Sequence, residues 1–428
     1  MKKKIAIIVL GCLYALNMQA QDTTARKYRL DFAKMYFDGG GTYLPSFTGQ
    51  QLLNGQLSAF EHSATLNPYL TWGAFHFWGH TEFYVTFPLN QLMLQKNDQA
   101  SHQLLHSVAT GARLYPWAMK EGKIRPYIGA NWGALQFKQE LKPDENQPTL
   151  SKDIMLNYDA GVMYNYKKIA VRLGINYFSD NKWNYPVSKI QMAEIETPRM
   201  SFQMGLLYTF DVSKDNTKEN IDKWNSYPRV SKLSYDAKKF GDFFVGIGPS
   251  ISFSLSKSDY NAAHFPYLQQ KLTSKSYFDI AVGYHFNKAN LFTTMSYRNP
   301  SYKTEGLGSS QSIKKTSLAI EVNKFLTDYS GFAPYIGINV AYDKLDYEQN
   351  VDGVKKIQTF TDPIEPGITF GWDIVPGKTN EALILRTNLR WNPFSKFELE
   401  GKKFNFSQLE YNLIQVIFYP ERFRWRKK

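Results

Sequence analysis

The feature that most narrows the fold is a period-two alternation of apolar with small or polar residues, repeated along nearly the whole chain. Val245, Ile247, Pro249, Ile251, Phe253 and Leu255 alternate with Gly246, Gly248, Ser250, Ser252 and Ser254. Residues two apart share one face of a strand, so one face is greasy and the other nearly bare. In a soluble sheet the greasy face would meet a helix or a second sheet. Convincing amphipathic helices are nearly absent here, which leaves lipid as the apolar partner. Only a closed barrel satisfies every backbone group of a sheet placed in lipid.

Composition supports that reading. Aromatic residues make up 16% of the chain, yet the mean hydropathy is −0.42. A lipid-facing band with aromatic girdles needs such residues, while a polar lumen and loops keep the average low. The net charge is +13, three units of which belong to the leader lysines. The remaining lysines are scattered, with no basic patch at groove-binding spacing, so nucleic acid is not an expected partner.

The chain begins with Lys2, Lys3 and Lys4, followed by an apolar run from Ile5 to Leu16 and by Met18-Gln19-Ala20. This is the pattern of a signal peptide, residues 1–20, cut before Gln21. Its apolar core falls short of the roughly 20 residues of a spanning helix. Cys12 is the only cysteine and sits inside that core, which argues against a lipidation box and leaves no disulfide framework.

Strands are predicted near 34–44, 64–74, 80–88, 105–115, 125–137, 154–166, 169–178 and 200–210. A second set falls near 242–256, 276–286, 290–298, 313–323, 332–346, 364–374, 381–391 and 409–419. Connections alternate between long polar segments (45–63, 89–104, 138–153, 179–199, then 257–275, 299–312, 347–363, 392–408) and short turns. Outer-membrane barrels have this asymmetry, with long loops outside and short turns in the periplasm, which places both chain ends in the periplasm. Arg125-Pro126-Tyr127-Ile128-Gly129-Ala130-Asn131-Trp132 parallels Ala333-Pro334-Tyr335-Ile336-Gly337-Ile338-Asn339-Val340, each on the fifth strand of its set. An internal repeat follows: a first eight-stranded unit at 21–211, a charged periplasmic linker at 212–240 with a helical turn near Asn220–Trp224, and a second unit at 241–428. Tandem barrels are preferred over one 16-stranded ring, because small inward residues suit a narrow lumen and the linker is long for a periplasmic turn.

The strand end Gly111-Ala112-Arg113-Leu114-Tyr115-Pro116, the two Pro-Tyr-Ile-Gly strands and the alternating Met204-Gly205-Leu206-Leu207-Tyr208-Thr209-Phe210 resemble the OmpA-like family of small outer-membrane β-barrels. The resemblance implies an eight-stranded membrane domain and, for the Met204–Phe210 segment, a terminal strand presented to the barrel-assembly machinery. The C-terminal end departs from this pattern, since Gln415–Tyr419 is followed by Pro420 and a basic tail.

Alternation also assigns faces. Ile169, Val171, Leu173, Ile175 and Tyr177 point to lipid, as do Ile368, Phe370, Trp372 and Ile374. The opposite faces carry Glu82, Arg113, Asp159 and Arg172 in the first unit, and Asp279, Arg298, Glu321, Asp373, Arg386 and Arg390 in the second. These charges either neutralise one another in a filled lumen, the preferred reading because an unpaired buried charge is costly, or form a constriction that selects solutes. His62, His76, His80, His102, His106, His264 and His285 accompany no serine motif and read as girdle or loop residues. Asp343, Asp346 and Asp352 lack the glycine and glutamate of a calcium loop and read as solvated acids. The expected protein is a non-enzymatic outer-membrane barrel without cofactor or metal. Its role is structural or partner-binding, through a protein or glycan at its extracellular loops, and the alternative is a porin-like passive channel.

Overall fold

The computed structural model describes residues 33–53, 55–89, 95–96, 100–106, 108–141, 151–211, 240–326, 332–374 and 382–422. The leader and the 212–239 segment, including the helical turn expected near Asn220–Trp224, lie outside them.

Two separate eight-stranded rings account for the barrel strands. The first runs through β1 (Lys34–Leu44), β2 (Thr65–His76), β3 (Thr81–Pro88), β4 (Ala109–Leu114), β5 (Ile124–Leu141), β6 (Ser151–Tyr166), β7 (Ile169–Phe178) and β8 (Met200–Asp211). Each strand pairs antiparallel with the next, and β8 returns to β1 with Lys34 opposite Asp211 and Tyr43 opposite Phe202. The second comprises β9 (Gly241–Ser254), β10 (Tyr277–Phe286), β11 (Leu291–Arg298), β12 (Ser309–Phe325), β13 (Phe332–Val351), β14 (Val354–Ile374), β15 (Leu383–Asn392) and β16 (Gln408–Phe418). It closes where β16 pairs with β9, Phe418 opposite Val245. A bulge in β16 falls between Asn412 and Gln415, where the register slips against both neighbours. The fold is therefore a tandem of transmembrane barrels.

Side-chain exposure follows the alternation. On β7, Leu173 is 50% exposed and Arg172 fully buried; on β13, Ile336, Ile338, Val340 and Tyr342 are exposed while Tyr335, Asn339 and Ala341 are buried. An apolar belt on the outside of a closed ring is the signature of a barrel that crosses a membrane. Glycines let large inward side chains approach the wall: Gly40 lies under the Tyr69 ring, where an added Cβ would collide with its hydroxyl end.

The structure corrects the picture of the long polar segments. Residues 347–363 are not a loop: β13 and β14, of 20 and 21 residues, continue as one hairpin to a two-residue turn at Asp352-Gly353. Both turn residues have positive φ, 48° and 89°, as the tight turn matching strand twist requires. Leu307-Gly308 and Glu400-Gly401 turn in the same way. At about 3.4 Å per residue such strands far exceed the ~25 Å apolar band, so their ends stand beyond it.

Above the first barrel, Phe47–Leu53 and Gln56–His62 form a hairpin that joins Met192–Glu196 and Lys182–Pro186 in a four-stranded sheet. It closes over an apolar cluster that includes Leu44, Phe60, Phe137, Phe178 and Trp183. Above the second, α1 (Asp259–His264), capped by the Ser258 hydroxyl, and the hairpin Lys396–Leu399/Lys402–Asn405 pack around Tyr260, Tyr302, Tyr347, Phe397 and Phe404. The barrels touch through Phe83, stacked on Trp372 at 4.9 Å, through Phe77 on Phe332 at 4.9 Å, and through Thr110 Oγ1 and Tyr411 OH at 3.1 Å. Lys189 Nζ, 2.8 Å from Asp352 Oδ2, links the crowns.

Candidate functional site

Every charged residue assigned to a lumen from the sequence is buried, at 4% exposure or less, inside one of the two rings. In the first barrel, inward parity on β1, β3, β4, β6 and β7 brings Asp38, Glu82, Arg113, Asp159 and Arg172 to one level. Glu82 is the hub. Its Oε1 accepts from Arg113 Nη1 at 2.9 Å and from Arg172 Nη2 at 2.7 Å, its Oε2 accepts from Tyr115 OH at 2.5 Å, and Tyr36 OH donates to it as well. Arg172 reaches Asp38 at 3.0 Å and Arg113 binds Asp159. The Arg113 guanidinium also lies 4.0 Å from the centre of the Tyr84 ring. On the short-turn side this layer rests on a plug formed by Phe75, Tyr115, Tyr127, Met163 and Leu207. Arg125 anchors the floor by donating to Gly79 O at 2.7 Å. On the other side, Thr42, Thr86, Asn131, Asn157, Asn176 and Gln203, together with Tyr84 and Phe178, help line a small cavity of about 80 Å³.

The second lumen carries more ion pairs. Arg386 grips Asp373 with two parallel hydrogen bonds of 2.7 and 2.8 Å, and its guanidinium lies 3.9 Å from the Phe292 ring centre. Arg390 bridges Asp279 and Glu321, at 2.5 Å to each. Arg298 pairs with Glu410, and Lys315 Nζ sits 2.7 Å from Asp343 and 3.3 Å from Glu410. At the short-turn end, Phe244, Phe292, Phe325, Tyr335 and Tyr419 pack across the bore. The chain then folds back after β16, so that Arg422 donates to Asp242 at 3.1 Å and lies 3.0 Å from His285 Nδ1.

Bare walls and long charged side chains go together, because an eight-stranded ring is just wide enough to be filled by them. Once desolvated, each charge needs a partner, and the inventory here supplies both signs on facing strands.

Several participants were missed in the sequence: Asp38, Asp242, Lys315, Asp343, Glu410 and Arg422. All but Arg422 stand at inward parity on barrel strands, so strict alternation would have found them. Asp343 is the plainest correction: it was expected among solvated acids but is fully buried against Lys315. Asp346 and Asp352 do lie on the protruding hairpin. His285, expected in a girdle or loop, is inside the second lumen, and His76 keeps outward parity but is buried beside Phe332. His76 and His80 are separated by the Phe77–Gly79 turn, and among the described residues no group of His, Cys, Asp and Glu is arranged to hold a metal ion.

In the first crown, burial pushes the Tyr185 phenol above its ordinary range, and its hydroxyl donates to Gln50 O at 2.7 Å.

No protein-family model matches the chain, and neither does any curated protein. Solved structures that resemble it include the Neisserial surface protein A, at 16% identity over 41% of this chain and 96% of that one, with a TM-score of 0.29. The outer membrane protein OprG from Pseudomonas aeruginosa is similar at 12% identity over 43% and 99%, with a TM-score of 0.32. Ail, the attachment invasion locus protein of Yersinia pestis, solved with the heparin analogue sucrose octasulfate, is similar at 12% identity over 42% and 99%, with a TM-score of 0.27.

Proposed function

We propose that this chain is a non-enzymatic, non-conducting tandem barrel of the Gram-negative outer membrane, which presents its two crowns to a protein or glycan partner. The observation that carries this reading is the double closure of each bore: an ion-paired layer backed by an aromatic plug. A passive channel needs a continuous wet path, and a charged layer backed by an aromatic plug across each bore argues against one. The crowns, by contrast, are built from paired strands and packed cores, which holds their outer surfaces in one shape. The placement of Tyr127 and Tyr335 at matching positions on fifth strands supports an origin by internal duplication. The asymmetry of crowns against short turns supports an orientation with both chain ends in the periplasm.

The test is single-channel recording on purified, folded protein in planar bilayers. No resolvable conductance steps are expected. Stable, porin-sized steps would overturn the closed-barrel reading and promote the channel.

A further inference from the structure

Just beyond the apolar belt of the second barrel, the outer surface changes character. Lysines stand there on four neighbouring segments: Lys275 ahead of β10, Lys303 on the strand Ser301–Gly306, Lys314 on β12 and Lys344 on β13. The register fixes their adjacency. The Lys275 amide donates to Ser301 O at 2.8 Å, Ser301 pairs with Lys314, and Lys314 pairs with Asp346, two residues along the strand from Lys344. The flanking residues Tyr302, Ile313, Lys315, Asp343 and Leu345 are buried, so alternation turns the four lysines outward. With strands about 4.8 Å apart, the arc spans roughly 15 Å.

Nearer the belt on the same strands, Phe278, Tyr297, Leu318 and Tyr342 are exposed by 45–62% of their surface. Acids do share the arc. Lys303 pairs with Glu305, and Lys344 lies 3.5 Å from Asp346, whose carboxylate also accepts from Thr359. Lys275 and Lys314 have no ion-pair partner among the described residues. Among the described residues the first barrel lacks this arrangement: its rim shows Tyr43, Tyr177 and Phe202, and Lys182 lies within 3.9 Å of both Glu194 and Glu196.

A surface that is apolar below and cationic above complements an amphiphile with acyl chains and a phosphorylated head. Basic residues flanking a membrane segment attract anionic lipid for this reason. We propose that the arc over β10–β13 is a binding site for phosphate-bearing membrane lipid of the outer leaflet, with the acyl chains against Phe278, Leu318 and Tyr342 and the phosphates at Lys275 and Lys314. The leaflet rests on the orientation given above. The site itself does not.

Native mass spectrometry of the full-length protein in detergent, loaded with bis-phosphorylated lipid A or its dephosphorylated form, tests the site. The wild type should retain about tenfold more phosphorylated lipid than the Lys275→Gln/Lys314→Gln variant, with no difference for the dephosphorylated form. Lys182→Gln/Lys396→Gln should behave as wild type, and an unchanged heat-dependent gel shift confirms that each variant is folded. Equal retention by all proteins, or equal loss from both double variants, overturns the site. Displacement of the lipid by millimolar inorganic phosphate alone overturns its assignment to lipid. Labelling of Lys303→Cys on intact cells by an impermeant maleimide places the arc outside; failure to label overturns the leaflet and leaves the retention result to decide the site.

Discussion

At the scale of single residues, the first lumen turns on Glu82. Four donors converge on its carboxylate, so Glu82→Ala strips partners from two buried guanidiniums and two phenols at once. Breaking one member of a buried ion network typically costs roughly 3–5 kcal/mol. Urea unfolding of the protein in lipid vesicles should show a loss of that size, and an unchanged midpoint would mean that the lumen is wet enough to solvate the arginines. Faces can be tested by the same measurement. Leu173→Arg puts a guanidinium into the lipid band, where it costs about 2–4 kcal/mol near the midplane, whereas Asn176→Arg points at the cavity and should cost less. A larger loss for Asn176→Arg than for Leu173→Arg would show that β7 is inside out. These faces were legible because alternation is local. The partner of each charge was not, since Arg172 meets Asp38 across 134 residues of chain.

At the scale of elements, the strands were located more securely than the segments between them. All sixteen barrel strands lie near their predicted positions, but the hairpin of β13 and β14 was read as two short strands flanking a polar loop. Beyond the belt its outward face meets water in place of lipid, while the inward face packs on the crown core through Leu345, Tyr347 and Phe360, so the outward apolar rhythm fades even though pairing continues. The Asp352-Gly353 pair was the remaining signal, because that sequence suits a turn with two positive φ values. Gly353→Val forces a β-branched residue into the left-handed region at a cost of about 1–2 kcal/mol. Hydrogen exchange should rise at Val351 and Val354 while the gel shift of the intact protein stays the same; protection equal to wild type would show that the turn does not set the hairpin.

For the whole molecule, the decisive pairings are the seams. If each ring closes on itself, a fragment of residues 21–212 should fold alone in detergent or lipid into a protease-resistant, heat-modifiable barrel. An open eight-stranded sheet in lipid would leave backbone groups unpaired at several kcal/mol each. Failure of that fragment to fold, with the intact protein folding normally, would mean that the first ring depends on the second. The contacts of Phe83 with Trp372 and of Thr110 with Tyr411 provide one route for such dependence.

The sequence by itself determined that the chain forms strands, which face of each strand is greasy, and that lipid must cover that face, because period-two alternation is carried by residues two apart. It also named ten of the lumen charges, by parity alone. Tertiary structure decided what alternation does not encode: that Lys34 finds Asp211 and Val245 finds Phe418, closing two rings where one was conceivable. Ring closure joins strands far apart in the chain, and the hydrogen bonds that do it are made by backbone groups identical in every residue but proline. No side-chain pattern specifies such a partner. The packed lumen does, since only in the closed eight-stranded ring do Glu82, Arg113 and Arg172 reach one another.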